Sequence, residues 1–176
     1  MKQLYLKIIE LLAQLPEIRY ADLDCNQLQE EKPPISYPAA LVDMDLTKID
    51  EIDSATQSID ASIGIRLVFK AIGESNAIAP ATERLRATDY LDVVEKVQHH
   101  LQGYEDDVYY PWQCTSIRPE PSRKGLKVVR LTFATSWHDY MSNKDKGILW
   151  QASIGRGENQ FNDSSTKYLG LFFTSL

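Results

Sequence analysis

Apolar positions near the N-terminus recur at the spacing of a helix. Between residues 2 and 15, seven apolar side chains fall on one broad face, and Pro16 follows them. Intervals of three and four are typical of an amphipathic helix, and proline ends a helix because it lacks a backbone N–H. The pattern therefore predicts a helix over residues 2–15 that packs on another element, most simply a sheet.

Two longer stretches alternate with period two and predict the main strands. In residues 60–70 one face is apolar and the other is expected to be largely solvated, since successive strand residues point to opposite faces. Residues 126–137 form the second stretch, and residues 129–133 echo residues 65–69. The echo predicts matched faces in one sheet and makes the two strands candidates for neighbours. The apolar face of the first strand consists of Ala61, Ile63, Ile65, Leu67 and Phe69.

A second helix is predicted to end at Gln102, before Gly103, and to start at Thr82 or Asp89. Asp89 is a plausible N-cap because its carboxylate can accept a hydrogen bond from the first turn, and glycine suits the residue that follows a helix. The apolar stripe of this helix consists of Leu91, Val94, Val97 and Leu101.

The remaining segments complete the order of elements. Residues 39–44 and 114–119 predict two further strands. Residues 17–37 read mainly as a connecting loop, in which Ile18 and Tyr20 could start a short strand, and residues 48–58 as a solvated loop or hairpin tip. The order helix, strand, strand, helix, strand, strand predicts an α+β fold. Its sheet is expected to be mostly antiparallel, with two amphipathic helices packed on one face.

The chain changes character near its C-terminus. Residues 1–140 are expected to form the α+β domain, and residues 141–176 an irregular C-terminal extension, either a strand or an arm that contacts another subunit. The extension ends in an apolar run that contains Phe172 and Phe173. Because such a run should not remain exposed to water, both phenylalanines are candidate interface residues.

Composition excludes several classes of protein. The chain has 176 residues and a net charge of −6, which argues against sequence-specific nucleic-acid binding, since such proteins concentrate basic residues on one face. No apolar run approaches the roughly 20 residues of a membrane span. The charges of Lys2, Lys7 and Glu10 interrupt the first apolar stretch, so it does not resemble a signal peptide. We therefore expect a cytoplasmic protein with no membrane partner.

Candidate chemistry is sparse. The phosphate-binding patterns GxGxxG and GxxxxGK[ST] are absent from the sequence. His99 and His100 are adjacent and diverge on a helix. Ser136, His138 and Asp139 do not converge as a triad, because adjacent side chains such as those of His138 and Asp139 diverge along a strand, and Ser136 lies too far from His138 for a reliable hydrogen bond. The sequence therefore predicts no catalytic residue, no cofactor and no metal, and we expect a protein that is not an enzyme.

Two further groups of residues are candidate interfaces. Asp50, Glu51 and Asp53 form an acidic group that could meet a basic partner, although its spacing does not match a calcium-binding loop. Aromatic residues such as tyrosine and tryptophan are enriched at interfaces, and a loop near residue 110 is rich in them. Alternatively, this loop packs over the helices of its own chain, and the sequence favours neither the interface role nor the packing role. Its candidate residues are Tyr109, Tyr110 and Trp112.

The arrangement resembles the tail-terminator (tail-completion) proteins of long-tailed bacteriophages and prophages. The resemblance covers residues 1–140 as an order of elements, and the C-terminal extension departs from it. Five segments carry it: the helix over 2–15, the strand start at 38–42, the strand over 60–70, the helix over 88–102 and the strand over 127–133.

The resemblance implies a virion assembly protein that acts without enzymatic chemistry. Such proteins form a homohexameric ring that caps the tail tube, and their partners are the tail tube and the head–tail connector. Before incorporation into a virion, the protein would reside in the host cytoplasm. The implied lumen faces DNA, and a negative lumen would let DNA slide rather than stick.

Two alternatives remain open. The first is a generic intracellular protein-binding or adaptor domain, with its site on the sheet face or on the aromatic loop. The second is an enzyme whose site combines residues that are distant in sequence, for example His138, Asp139 and Glu95.

Overall fold

A computed structural model describes residues 1–30, 32–53, 56–121 and 125–139 of the chain. The elements follow the predicted order, with one additional short strand and a 3₁₀ turn at Gln27–Gln29. They are helix α1 (Lys2–Ala13), strand β1 (Tyr20–Leu23), strand β2 (Ala39–Asp53), strand β3 (Thr56–Lys70), helix α2 (Ala81–Leu101), strand β4 (Gln113–Glu120) and strand β5 (Leu126–Asp139).

The strands form one sheet in the order β1-β2-β3-β5-β4. β1 runs parallel to β2, β4 runs antiparallel to β5, and the sheet as a whole is mostly antiparallel. β3 and β5 are neighbours, so the two stretches that echo each other in the sequence lie side by side. The predicted α+β fold is confirmed.

Both helices contribute to one hydrophobic core on the same face of the sheet. α1 supplies Leu4, Ile8 and Leu12, and α2 supplies Val97 and Leu101, all fully buried. The predicted apolar face of β3 lies in this core. Because burying one aliphatic side chain stabilises a fold by about 1.5–3 kcal/mol, this layer is the principal source of stability.

The second helix differs from the prediction at its start. α2 begins at Ala81, one residue before the predicted start at Thr82, with Pro80 as N-cap, so the alternative start with Asp89 as N-cap was wrong. Leu91 is 48% exposed, and Ala87 is buried with the other three residues of the predicted stripe. The physical reason is that α2 turns a small residue towards the sheet near its start, which a search for large apolar residues overlooks.

Within the segment predicted as a loop, β1 forms four residues of edge strand. It pairs in parallel with the start of β2, with Tyr20 opposite Ala39 and Leu23 opposite Val42. The Asp22 carboxylate ties β1 to α1, because it accepts hydrogen bonds from the hydroxyls of Tyr5 and Tyr20, each at 3.0 Å. So short a strand, with no fully buried residue, has no periodicity that sequence analysis could detect.

The face of the sheet opposite the helices is less solvated than predicted. Val68 is fully buried there with Ala39, Leu41 and Val128 in a second, smaller cluster. Side chains from the segment that precedes β2, such as Tyr37, pack against this cluster. The segment that was read as a simple connection therefore covers part of the sheet.

The chain divides into two compact units. One consists of Met1–Ile49 and Ile59–Trp137 and contains both helices, and the other consists of Asp50–Ser58 and His138–Leu176. The extension predicted for residues 141–176, with Phe172 and Phe173, lies outside the described residues. Its role remains a prediction.

Candidate interface surfaces

β2 changes from buried to exposed along its length. Its first four residues are fully buried, whereas its last nine, residues 45–53, are all exposed. The exposed half carries Leu46, Ile49 and Ile52, which are 38%, 53% and 54% exposed. The predicted group Asp50, Glu51 and Asp53 lies among them, on a strand rather than in a loop. This half therefore presents both acidic and aliphatic side chains.

The aromatic loop is only partly available to a partner. Trp112 is fully buried with its ring edge-on to Tyr104 at 5.3 Å, and Tyr109 is buried edge-on to Trp137 at 5.5 Å. Tyr110 is 51% exposed. Burial of the first two residues favours the alternative of a loop folded over the core, and it leaves Tyr110 as the candidate interface residue of this group.

Asp106 fixes the conformation of this loop. Its carboxylate accepts hydrogen bonds from the backbone N–H groups of Val108 and Tyr109 and from the Tyr104 hydroxyl, all at 2.9 Å. Partial burial acts to raise the pKa of Asp106, but these hydrogen bonds outweigh it and hold the pKa below its usual range. Burial raises the pKa of Tyr109. The loop is therefore organised around an ionised carboxylate.

A chain of charged side chains crosses the sheet face opposite the helices. Arg66 on β3 pairs with Asp24 and, through Nε, lies 2.6 Å from Glu120 Oε2. Arg130 on β5 lies 2.6 Å from Asp43 Oδ1 and 3.7 Å from Glu120 Oε1. The five groups alternate in sign and are at most 30% exposed. Sequence analysis missed them, although both arginines occupy the same position within the echoed segments.

A second charged feature is a cleft of about 760 Å³ within the larger compact unit. The end of β3, the first half of α2, the start of β5 and the segment before β2 surround it. Phe69, Ile72 and Tyr90 supply apolar and aromatic wall, and Asp89 is its one acidic lining residue. We call it the basic cleft after its four cationic residues, Arg19, Lys70, Arg86 and Lys127.

Aromatic rings hold two of these cations in place. Lys127 Nζ lies 4.5 Å from the centre of the Tyr90 ring and donates a hydrogen bond to the carbonyl oxygen of Ala87 at 2.7 Å. Lys70 Nζ lies 5.6 Å from the centre of the Tyr37 ring. Both distances are typical of cation–π interactions.

The described residues offer little for catalysis. Among them, no group of three or more His, Cys, Asp or Glu side chains could hold a metal ion. His100 Nε2 lies 3.1 Å from the carbonyl oxygen of Leu11, and His99 lies on the surface of α2, 3.8 Å from Glu95. Burial raises the pKa of the Cys114 thiol, which disfavours the reactive thiolate. None of the described helices is both long and apolar enough to span a bilayer.

No family model matches the sequence, and no curated protein matches it. A chain in the structure of the virion of a native gene transfer agent particle is similar over 75% of this chain and 84% of that chain, with 11% sequence identity and a TM-score of 0.41. A TM-score below 0.5 does not establish a common fold.

Proposed function

We propose that this chain is a structural subunit of a phage or prophage tail, which forms a ring that caps the tail tube and joins the tail to the head. The observation that carries the proposal is the exposed half of β2, residues 45–53. Its backbone conformation is regular strand, yet its aliphatic side chains are unburied within the chain. A strand that presents isoleucines to water is suited to contact another protein.

The order of elements that resembles tail-terminator proteins supports the more specific role. A ring subunit needs two different complementary surfaces, because head-to-tail contacts close into a ring only when one surface fits the other. The exposed half of β2 is one candidate surface, and Tyr110 lies on another part of the chain. The negative net charge suits a channel through which DNA passes without sticking.

The proposal is tested by asking whether the chain stops the growth of tail tubes. The full-length chain is mixed with polymerising tail-tube protein from the same phage, and tube lengths are measured by negative-stain electron microscopy. We expect short tubes that carry a ring at one end, and native mass spectrometry should give six copies per ring. Tubes that grow to the same length with and without the chain would contradict the proposal.

A pair of matched variants tests the observation itself. Ile49→Asp with Ile52→Asp should abolish capping, because it replaces the exposed aliphatic groups with charge. Ile78→Asp with Leu85→Asp makes the same change at residues that are 95% and 67% exposed and lie outside β2, so it should cap normally. Equal capping by both variants would show that the exposed half of β2 does not make the contact needed for capping.

A further inference from the structure

The charge of the basic cleft is opposite to that of the chain. The chain has a net charge of −6, yet the cleft gathers four cationic side chains and one carboxylate. Within the described part of the chain, none of the four cations of the cleft forms an ion pair, and the ion pairs that do form use other basic groups. Those other groups are Lys7, Arg66, Lys96 and Arg130, with a surface pair at His99.

The cleft is organised before anything binds. Lys127 is fixed by both the Tyr90 ring and the Ala87 carbonyl, so it loses little side-chain freedom when an anion arrives. Ile72, which is 56% exposed, adds apolar surface beside these charges. A ligand that uses the whole cleft must therefore combine negative charge with apolar groups, which an inorganic anion does not.

The chain itself contains a segment with this chemistry. In the exposed half of β2, Ile49 shares one strand face with Glu51 and Asp53, and Ile52 shares the other face with Asp50, so each face carries both an isoleucine and an acidic group. A volume of about 760 Å³ lies within the range of about 300–1,000 Å³ that is usual for specific binding sites. The cleft is therefore large enough for a few side chains of a strand, though not for a folded domain.

We propose that the basic cleft of one copy receives the acidic exposed half of β2 from a second copy. The inference rests on the proposed function, because it names the contact that would join neighbouring subunits of the ring. The contact is head-to-tail, since the cleft and the strand are different surfaces, and repetition of such a contact gives a ring when the rotation between copies closes. Complementary charge sets the register and the partner of the contact.

The test uses charge reversal in full-length chains, with self-association measured by sedimentation velocity at low and high salt. The cleft variant is Lys70→Glu with Arg86→Glu, and the strand variant is Asp50→Lys with Glu51→Lys. Each variant alone opposes like charges across the contact, so its dissociation constant should rise at least tenfold. All four positions are exposed, and unchanged thermal unfolding would show that the variants fold.

An equimolar mixture of the two variants gives the decisive result. In the mixture, the reversed strand meets the reversed cleft and the native strand meets the native cleft, so alternating subunits should restore association. The chain with all four substitutions should also associate. Lys2→Glu with Lys32→Glu is the control, because it reverses two exposed charges outside the cleft and should associate as the original chain does.

Three results would overturn the inference: an original chain that is monomeric at all concentrations, a cleft variant that associates normally, or a mixture that stays dissociated. Competition by millimolar inorganic phosphate without rescue in the mixture would assign the cleft to a small anion instead. The capping assay separates the two proposals. Normal capping by the charge-reversed variants leaves the proposed function standing, whereas failure of the original chain to cap removes it whatever the self-association result.

Discussion

The Nη2 of Arg130 lies 2.6 Å from Oδ1 of Asp43, although these residues belong to strands that are not neighbours in the sheet. β3 separates β2 from β5, and its residue beneath the ion pair is Gly64. A Cβ atom on Gly64 would overlap both the guanidinium and the carboxylate. The absence of a side chain is therefore what allows the ion pair to bridge a whole strand.

Gly64→Ala should destabilise the chain because the added methyl group displaces one partner of this pair. We expect the free energy of unfolding to fall by about 1–3 kcal/mol, as for other overpacked sites, measured by urea denaturation. Ser62→Ala on the same face of β3 is the control and should change stability by much less. An unchanged unfolding midpoint for Gly64→Ala would show that the ion pair can move without cost.

Arg66→Met should destabilise the chain by leaving the Asp24 carboxylate without its cation, and Glu120 with Arg130 as its remaining partner. The Asp24 side chain is 8% exposed, so its unpaired charge would be poorly solvated. We expect a loss of about 1–3 kcal/mol in the free energy of unfolding, again from urea denaturation. Arg118→Met on exposed β4 is the matched control, and equal losses in the two variants would contradict a structural role for the network.

Stability should depend on pH through Asp22. The backbone N–H of Leu23 donates to its carboxylate at 2.8 Å, and this bond, although opposed by burial, lowers the pKa of Asp22 together with the hydroxyls of Tyr5 and Tyr20. A lowered folded-state pKa stabilises the fold above the unfolded pKa of about 3.9, and this contribution is lost as pH falls through the folded value.

Asp22→Asn should therefore cost more stability at pH 6 than at pH 2.5, because the original chain loses the ionised carboxylate at acid pH. The measurement is the difference in free energy of unfolding between the two chains at each pH. Asp107→Asn, at an exposed position, should give a difference that varies less with pH. A constant difference for Asp22→Asn would contradict the assignment.

Truncation of Trp112 and truncation of Tyr110, both in the aromatic loop, should have different effects. Trp112→Ala removes a fully buried indole and should cost about 3–5 kcal/mol. Tyr110→Ala truncates a half-exposed ring and should cost less than about 1 kcal/mol, while it weakens capping if Tyr110 contacts a partner. Thermal unfolding and the capping assay separate these effects. Normal capping by Tyr110→Ala would remove this residue from the candidate interface.

Long-range periodicity accounts for what the sequence could predict. The alternation in β3 and β5 specified two adjacent strands, since each places a continuous apolar row on the core side. For β1 the sequence indicated only that a short strand could start near Tyr20, because a four-residue parallel strand is specified by its pairing with β2 and not by its own pattern. Tertiary packing likewise determines which residues of the aromatic loop are buried, because burial of Tyr109 and Trp112 depends on partners distant in sequence.

The charged sites were beyond sequence analysis for a similar reason. The four cations of the basic cleft come from separate segments, and no spacing links Arg19 to Lys127. The sheet-crossing network was more accessible, because Arg66 and Arg130 follow equivalent apolar residues in the echoed segments. A charged residue at the same place in two strands that share a sheet predicts that the two charges act together.

If the exposed half of β2 is the contact surface proposed above, the division of β2 at residue 45 separates folding from recognition within a single strand. The core constrains the first four residues, which are fully buried, whereas the last nine are exposed and are not constrained by packing in it. A chain built in this way can acquire a new partner by a few substitutions in one continuous stretch. Exchange of that stretch between related subunits would then transfer assembly specificity without redesign of the fold.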